Sequence, residues 1–316
     1  VKPDRVQPIT ALWHEAGWDK VFPKGLKEMV SARGEIWAVP LDVHRGNAMW
    51  ASTRALAAAG GKVPESINDL VTLLDRARGA GIVAPLALGS KGNWQISMLF
   101  ENSLLAVAGA DHHRRLFSGQ VSFTEPKVKE ALVSLKTILG YANRDHPTLD
   151  WDEAAKRLAA GAGAVTFMGD WVKSYFTSLN FVPGRDFAGL PAPGTRGLYL
   201  VACDSFAIPR KAADRANAQD WIRACGSVEG QAAFSVRKGS IPPRTDAPKS
   251  LFDPIGQQFI DDFRGGVLLR SAALGSASAP VFVAALNGEM GTFAQTGDVN
   301  ATANNLQRFS AQYLKA

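Results

Sequence analysis

Apolar positions along the chain fall into two periods, and the periods alternate. Ile67, Leu70, Val71 and Leu74 share one face at helical spacing and predict a helix over 64–78. Ser66 is a good N-cap with Asp69 three residues later, an Asp form of the capping box, and Gly79 and Gly81 end the stripe. Ala131, Leu135, Ile138 and Leu139 predict a second such helix over 127–142. Shorter helices are predicted over 52–59, 96–108, 151–160, 172–179, 213–224 and 226–234, and the chain from about residue 250 onward reads as helices with Gly-rich joints. Short apolar runs bounded by Gly or Pro read as strands over 35–40, 47–50, 85–88, 164–168, 198–202 and 206–209. Strands and helices in alternation, with irregular strand spacing and Pro-rich crossings, predict an α/β fold with more than one lobe.

Several strand-to-helix junctions deliver polar and aromatic side chains together. The run Ala164-Val165-Thr166-Phe167-Met168-Gly169-Asp170-Trp171 ends a strand at a glycine and hands a carboxylate and an indole to a helix start. A carboxylate accepts two hydroxyl hydrogen bonds and an indole stacks on an apolar face. A sugar ring, with C–H faces and a rim of hydroxyls, needs that pair. The same local pattern also fits a core tryptophan beside a helix-capping aspartate. Trp94-Gln95 repeats the arrangement, and Asp204-Ser205 and Lys238 add polar groups at further junctions.

Composition narrows the classes of function. Apolar residues make up 46% of 316, enough for sizeable cores, and no run of 18 apolar residues could span a membrane. The net charge of +6 is spread out; its densest cluster, His112-His113-Arg114-Arg115, is short and reads as a solvated face, so no nucleic-acid partner is expected. Two cysteines, Cys203 and Cys225, exclude a disulfide scaffold and a Cys-rich zinc site. Eight tryptophans point toward a ligand with stackable faces. No basic and apolar leader is visible at Val1-Lys2-Pro3-Asp4.

Catalytic patterns are missing from the sequence. There is no Gly-x-Ser-x-Gly elbow, no His-Glu-x-x-His, and no phosphate-binding glycine loop. His44 sits in the polar segment Asp42-Val43-His44-Arg45 and reads as a hydrogen-bonded structural histidine rather than a general base. Asp150, Asp152 and Asp170 supply carboxylates, but nothing pairs them for glycoside hydrolysis. No enzyme activity, cofactor or metal is expected, and the pattern suits a binding protein.

Six runs occur here in a family order: Trp37-Ala38-Val39-Pro40 to Val43-His44-Arg45-Gly46-Asn47, Gly92-Asn93-Trp94-Gln95, Phe167-Met168-Gly169-Asp170-Trp171, Pro191-Ala192-Pro193-Gly194-Thr195, Asp204-Ser205-Phe206 and Lys238-Gly239-Ser240-Ile241-Pro242. They resemble the sugar-binding proteins of bacterial ABC importers related to maltose-binding protein, most closely the glucose- and mannose-type branch. The resemblance covers nearly the whole chain. It implies a two-lobe periplasmic-binding-protein fold, with residues 1–43 and 198–247 in one lobe and 44–197 and 248–316 in the other, closing about a hinge. It implies a sugar ligand, a membrane permease as partner, a monomer, and a periplasmic or cell-surface location. It implies binding roles for Trp171, Trp94, Gln95 and Lys238, and a weaker match at Lys2. Asp170, Asp204, His44 and Arg45 complete the candidate set. The family pattern also implies about 75 residues ahead of Val1, including sheet strands and an aromatic wall, so the first lobe is expected to be incomplete. Ala202-Cys203 and Leu274 stand where the glucose type has an Asn and a His, so the resemblance leaves the sugar open. A carbohydrate-active hydrolase and a partner-dependent fragment are the alternatives.

Overall fold

The computed structural model describes residues 5–58 and 60–314. Its central element is a four-stranded sheet in the order Ala84–Leu86, Gly163–Phe167, Ala48–Ser52, Phe187–Pro191. The first pair is parallel and the other two are antiparallel. Side chains of a strand alternate between faces, and Ala48–Ser52 shows what this does. Met49 and Ala51 enter one core, with Leu70, Leu99, Phe100 and Leu132. Ala48 and Trp50 enter the other, with Phe176, Phe187 and Phe259. Every residue of that strand is buried, because helices cover both faces.

Helices Ile67–Gly79, Trp94–Phe117, Pro126–Leu139, Pro280–Thr296 and Val299–Tyr313 build the first core. The Ile67–Gly79 helix starts at a complete capping box: Asp69 N donates to Ser66 Oγ and Ser66 N to Asp69 Oδ2, both at 3.1 Å. Its inward stripe is Leu70, Leu73, Leu74 and Ala77. Ile67 and Val71 lie at the edge of the stripe, half-buried. On the other face, Trp171–Ser178 packs with Pro254–Gly265, tied by Lys173 Nζ to Asp253 Oδ2 at 2.6 Å.

A three-stranded sheet lies beside this body, in the order Val267–Arg270, Leu198–Ala202, His44–Arg45. The strand Val267–Arg270 is a departure from the sequence reading, which took this region as helical. It pairs parallel with Leu198–Ala202, where Leu200 and Leu269 are buried together. The strand predicted over residues 35–40 is also not one strand. Glu35–Ile36 pairs with Ser31–Ala32, while Val39–Pro40 pairs with Ser205–Phe206. The helix predicted to end near Ala108 breaks at Gly109, whose φ is 76°, and a further helical stretch that the sequence reading did not include continues to Phe117. That continuation buries His113, so the basic cluster is not wholly a solvated face. His113 Nε2 reaches Glu101 Oε1 at 2.7 Å.

Candidate functional site

The strand Gly163–Phe167 ends at Met168-Gly169, and the next helix begins at Trp171. The indole folds back across Gly169, and a Cβ there would overlap its six-membered ring. Only glycine leaves that space. A second helix start lies alongside. Asn93, at φ 61°, leads into the Trp94–Phe117 helix and packs on Gly291, where a Cβ would lie 2.5 Å from Asn93 Nδ2. The two junctions set Trp94 and Trp171 with ring centroids 6.2 Å apart at 50°. Both are half-buried. Gln95 follows, 2% exposed, and its Oε1 has no hydrogen-bond partner among the described residues.

A polar row runs beside the indoles. The His44 ring meets Trp171 edge-on, centroids 5.2 Å apart. His44 Nδ1 hydrogen-bonds Asp170 Oδ1. Its Nε2 lies 3.1 Å from Asp42 Oδ2 and 3.6 Å from Asp204 Oδ2. Lys238 Nζ stands 3.8 Å from the same Asp204 oxygen. Gly239, at φ 84°, ends the Val228–Lys238 helix there and packs against Ser174 and the Asp170 carbonyl. Val43 and Ile241 exchange backbone hydrogen bonds of 2.9 and 3.0 Å, which hold the Lys238 loop against the His44 segment.

Burial divides these groups by role. Burial opposes charge on His44, but the Asp170 carboxylate and hydrogen bonds to Asp170, Asp204 and Asp42 outweigh it and hold the imidazolium well above the usual histidine range. Burial pushes the Asp170 carboxyl up, with His44 pulling against it. The hydrogen bond from His44 holds Asp204 below the usual carboxylate range. Asp170 and Asp42 are 0% exposed, whereas the Asp204 side chain is 57% exposed. The Lys238 side chain is also partly exposed.

The expectation that Asp170 offers its carboxylate to a ligand needs correction. Both its oxygens are committed, Oδ1 to His44 and Oδ2 to Arg45 N at 3.2 Å, and neither faces solvent. Arg45 is likewise turned away. Its guanidinium is fully buried, bonded to Asp262 and 5.0 Å from the Tyr199 and Phe259 ring centres. The alternative of a core Trp171 with an Asp170 cap is half met: Asp170 occupies the N-cap position, but its side chain makes no cap hydrogen bond. Lys2 lies outside the described residues. Trp171, Trp94, Gln95, His44, Asp204 and Lys238 are brought into one region. Asp42 is the member that motif reading passed over. Its signal was there: two residues before His44 on an extended segment, it shares a face with it. A separate cavity of about 480 Å³, lined by Glu28, Met29, Arg114 and Leu268 among others, contains none of these groups.

Two indoles and a charged row stand together at these strand-to-helix junctions. A family model for bacterial extracellular solute-binding proteins matches residues 1–232. The chain belongs to that family. The family is one of solute-binding proteins rather than enzymes. This solute-binding protein is 34% identical over 310 residues to an ABC transporter extracellular-binding protein of Pyrococcus horikoshii, covering 97% of this chain and 69% of that one. It is 33% identical to a probable sugar-binding periplasmic protein of Mesorhizobium japonicum, over 86% and 66% of the two chains. It is 27% identical to the xylose/arabinose-binding protein XacG of Haloferax volcanii, over 93% and 65%. The chain thus spans about two thirds of the length of the curated relatives it matches. Among solved structures, a protein studied for xylan utilization in Caldanaerobius polysaccharolyticus superposes with a TM-score of 0.85 at 15% identity, over 97% of this chain and 81% of that one. Maltose-bound MalE3 of T. maritima gives 0.76 at 16%, over 98% and 80%. At such identities the likeness establishes the fold: the α/β periplasmic-binding-protein fold, over nearly the whole chain. Among the described residues no helix is long and apolar enough to cross a membrane.

Proposed function

We propose that this protein captures a sugar for an ABC importer, holding it against Trp171 and Trp94 with Asp204 and Lys238 hydrogen-bonding its hydroxyls. The observation that carries this reading is the half-buried indole pair beside a partly exposed carboxylate and ammonium. Indoles stack on the C–H faces of a sugar, and charged groups make the stronger hydrogen bonds to its rim. The unpartnered Oε1 of Gln95 is a further acceptor at the same helix start. His44 and Asp170 act behind this surface: the pair fixes Asp204 and braces the Trp171 ring. The names of the Mesorhizobium and Haloferax relatives support a sugar as solute.

In this reading residues 1–43 and 198–247 form one lobe and 44–197 with 248–316 the other. The stretches over residues 37–45 and 191–195 carry the hinge crossings, and lobe closure completes the site. The partner is a membrane permease, the place of action is the periplasm or cell surface, and the protein works as a monomer. Glycoside hydrolysis has no support in the geometry. It needs two carboxylates facing the substrate, and of Asp42, Asp170 and Asp204 only the last is exposed.

A thermal-shift panel of mono- and disaccharides, with amino acids and short peptides beside them, tests the proposal. A sugar at about 100 times its Kd stabilises by roughly 2.7 kcal/mol and raises Tm by several degrees. A rise with one sugar class is the expected result. A rise only with amino acids or peptides would replace the sugar reading.

A further inference from the structure

We propose that Asp42, His44 and Asp204 form a binding site for a divalent transition-metal ion of the zinc class. His44 Nε2, Asp42 Oδ2 and Asp204 Oδ2 lie within 4.8 Å of one another. The two separations from Nε2 are 3.1 and 3.6 Å. Ligand atoms on a tetrahedral zinc with bonds of about 2.0–2.2 Å stand about 3.3–3.6 Å apart, so both separations from Nε2 are close to those of a tetrahedral edge, and the third is no more than 4.8 Å.

Two further features point to a cation rather than to a chance cluster. Asp42 is completely buried, and among the described residues its Oδ2 has no partner beyond His44 Nε2 at 3.1 Å. A buried carboxylate oxygen with a single neighbour has acceptor capacity to spare, and this one is aimed at the imidazole edge, where an ion would sit between them. Asp170, on the far side of the ring, accepts from Nδ1. That carboxylate–histidine arrangement fixes the ring so that Nε2 is the ligating atom, as behind metal-bound histidines generally. The ion would take the place of the proton on Nε2. An imidazole nitrogen with two carboxylates favours zinc over magnesium or calcium, which take oxygen ligands. The exposed side of Asp204 leaves the fourth position open to the solvent side, next to Trp171 and Lys238. The sequence shows no metal motif because the ligands come from two segments, 42–44 and 204, brought together by the pairing of Leu41 N with Asp204 O at 2.9 Å.

This inference does not depend on the solute being a sugar. The test is titration of chelator-treated protein with Zn²⁺ by calorimetry, and with Co²⁺ by its visible d–d absorption. One ion per chain is expected, with tetrahedral-type cobalt bands. Asp204→Asn, at an exposed position that leaves the fold intact, is expected to weaken Zn²⁺ at least about tenfold, and Asp170→Asn by about 10–100-fold. A Cys203→Ser/Cys225→Ser variant is expected to bind as the parent does, since neither thiol is a ligand. No uptake by the parent chain up to about 1 mM, the weak end of protein cation sites, would overturn the proposal. So would binding that Asp204→Asn leaves unchanged.

Discussion

The Trp171 ring rests on Gly169, and the space it fills is that of the missing Cβ. The sheet end and the helix start are therefore locked to one indole position. Gly169→Ala should push the ring off the strand end and away from Trp94. Overpacking of this kind costs about 1–3 kcal/mol of stability. Urea unfolding should show that loss, and the tryptophan emission of the folded variant should shift. An unchanged spectrum and midpoint would mean that the ring does not occupy this place.

His44 makes stability depend on pH. Its folded pKa is raised well above 6.5, so its contribution is fully present below about pH 6.5 and is lost as pH climbs through the folded value. The groups facing it are Asp42, Asp170 and Asp204. Asp204, held low, contributes above pH 3.8 and loses that contribution as pH falls. Asp170, raised, works the other way, subtracting stability as pH rises from 3.8 through its folded value. The acid limb is thus mixed, and the alkaline limb isolates His44. Urea midpoints should fall as pH rises above about 6.5, and His44→Gln should flatten that fall. A fall of equal size in the variant would assign it to another group.

Arg45 is a structural residue in this fold. Its buried guanidinium bonds Asp262 and lies near the Tyr199 and Phe259 rings. Removing one partner of a buried pair costs about 3–5 kcal/mol. Arg45→Ala should lose that much in chemical denaturation. Arg45→Lys should recover little, because an ammonium lacks the planar fork. Full recovery by lysine would show that charge alone suffices.

Much of the scaffold was legible in the sequence. The helical stripe and capping box at 66–79 and the strand ending at Phe167 appeared where local pattern put them. The errors share a cause. Val267–Arg270 has four residues and no alternation of its own, and it is a strand because Leu198–Ala202 offers it a parallel partner. Glu35–Ile36 and Val39–Pro40 read as one strand because apolar spacing does not reveal that two different partners take the two halves. In the site, the indoles were visible as residues at helix starts. The division of labour among the carboxylates was not. Asp170 and Asp204 look alike in sequence, and only burial separates the brace from the group that faces outward.

Glu101 ties the long helix to the segment after Val267–Arg270. Its buried carboxylate accepts from His113, Ser271 Oγ, Ala272 N and Ala273 N. Glu101→Ala would leave several buried donors unpaired, at about 1–3 kcal/mol each before relaxation. Hydrogen exchange should then rise at Ala272 and Ala273 ahead of the sheet. Protection that persists at those amides would show that the segment is held by other contacts.

The most direct test is calorimetric titration of the best-binding sugar into the parent protein and into Trp171→Ala. The expected result is saturable binding to the parent and a loss of about 2 kcal/mol or more in the variant, roughly 30-fold in Kd. Equal affinity in the two proteins would place the solute somewhere other than against Trp171.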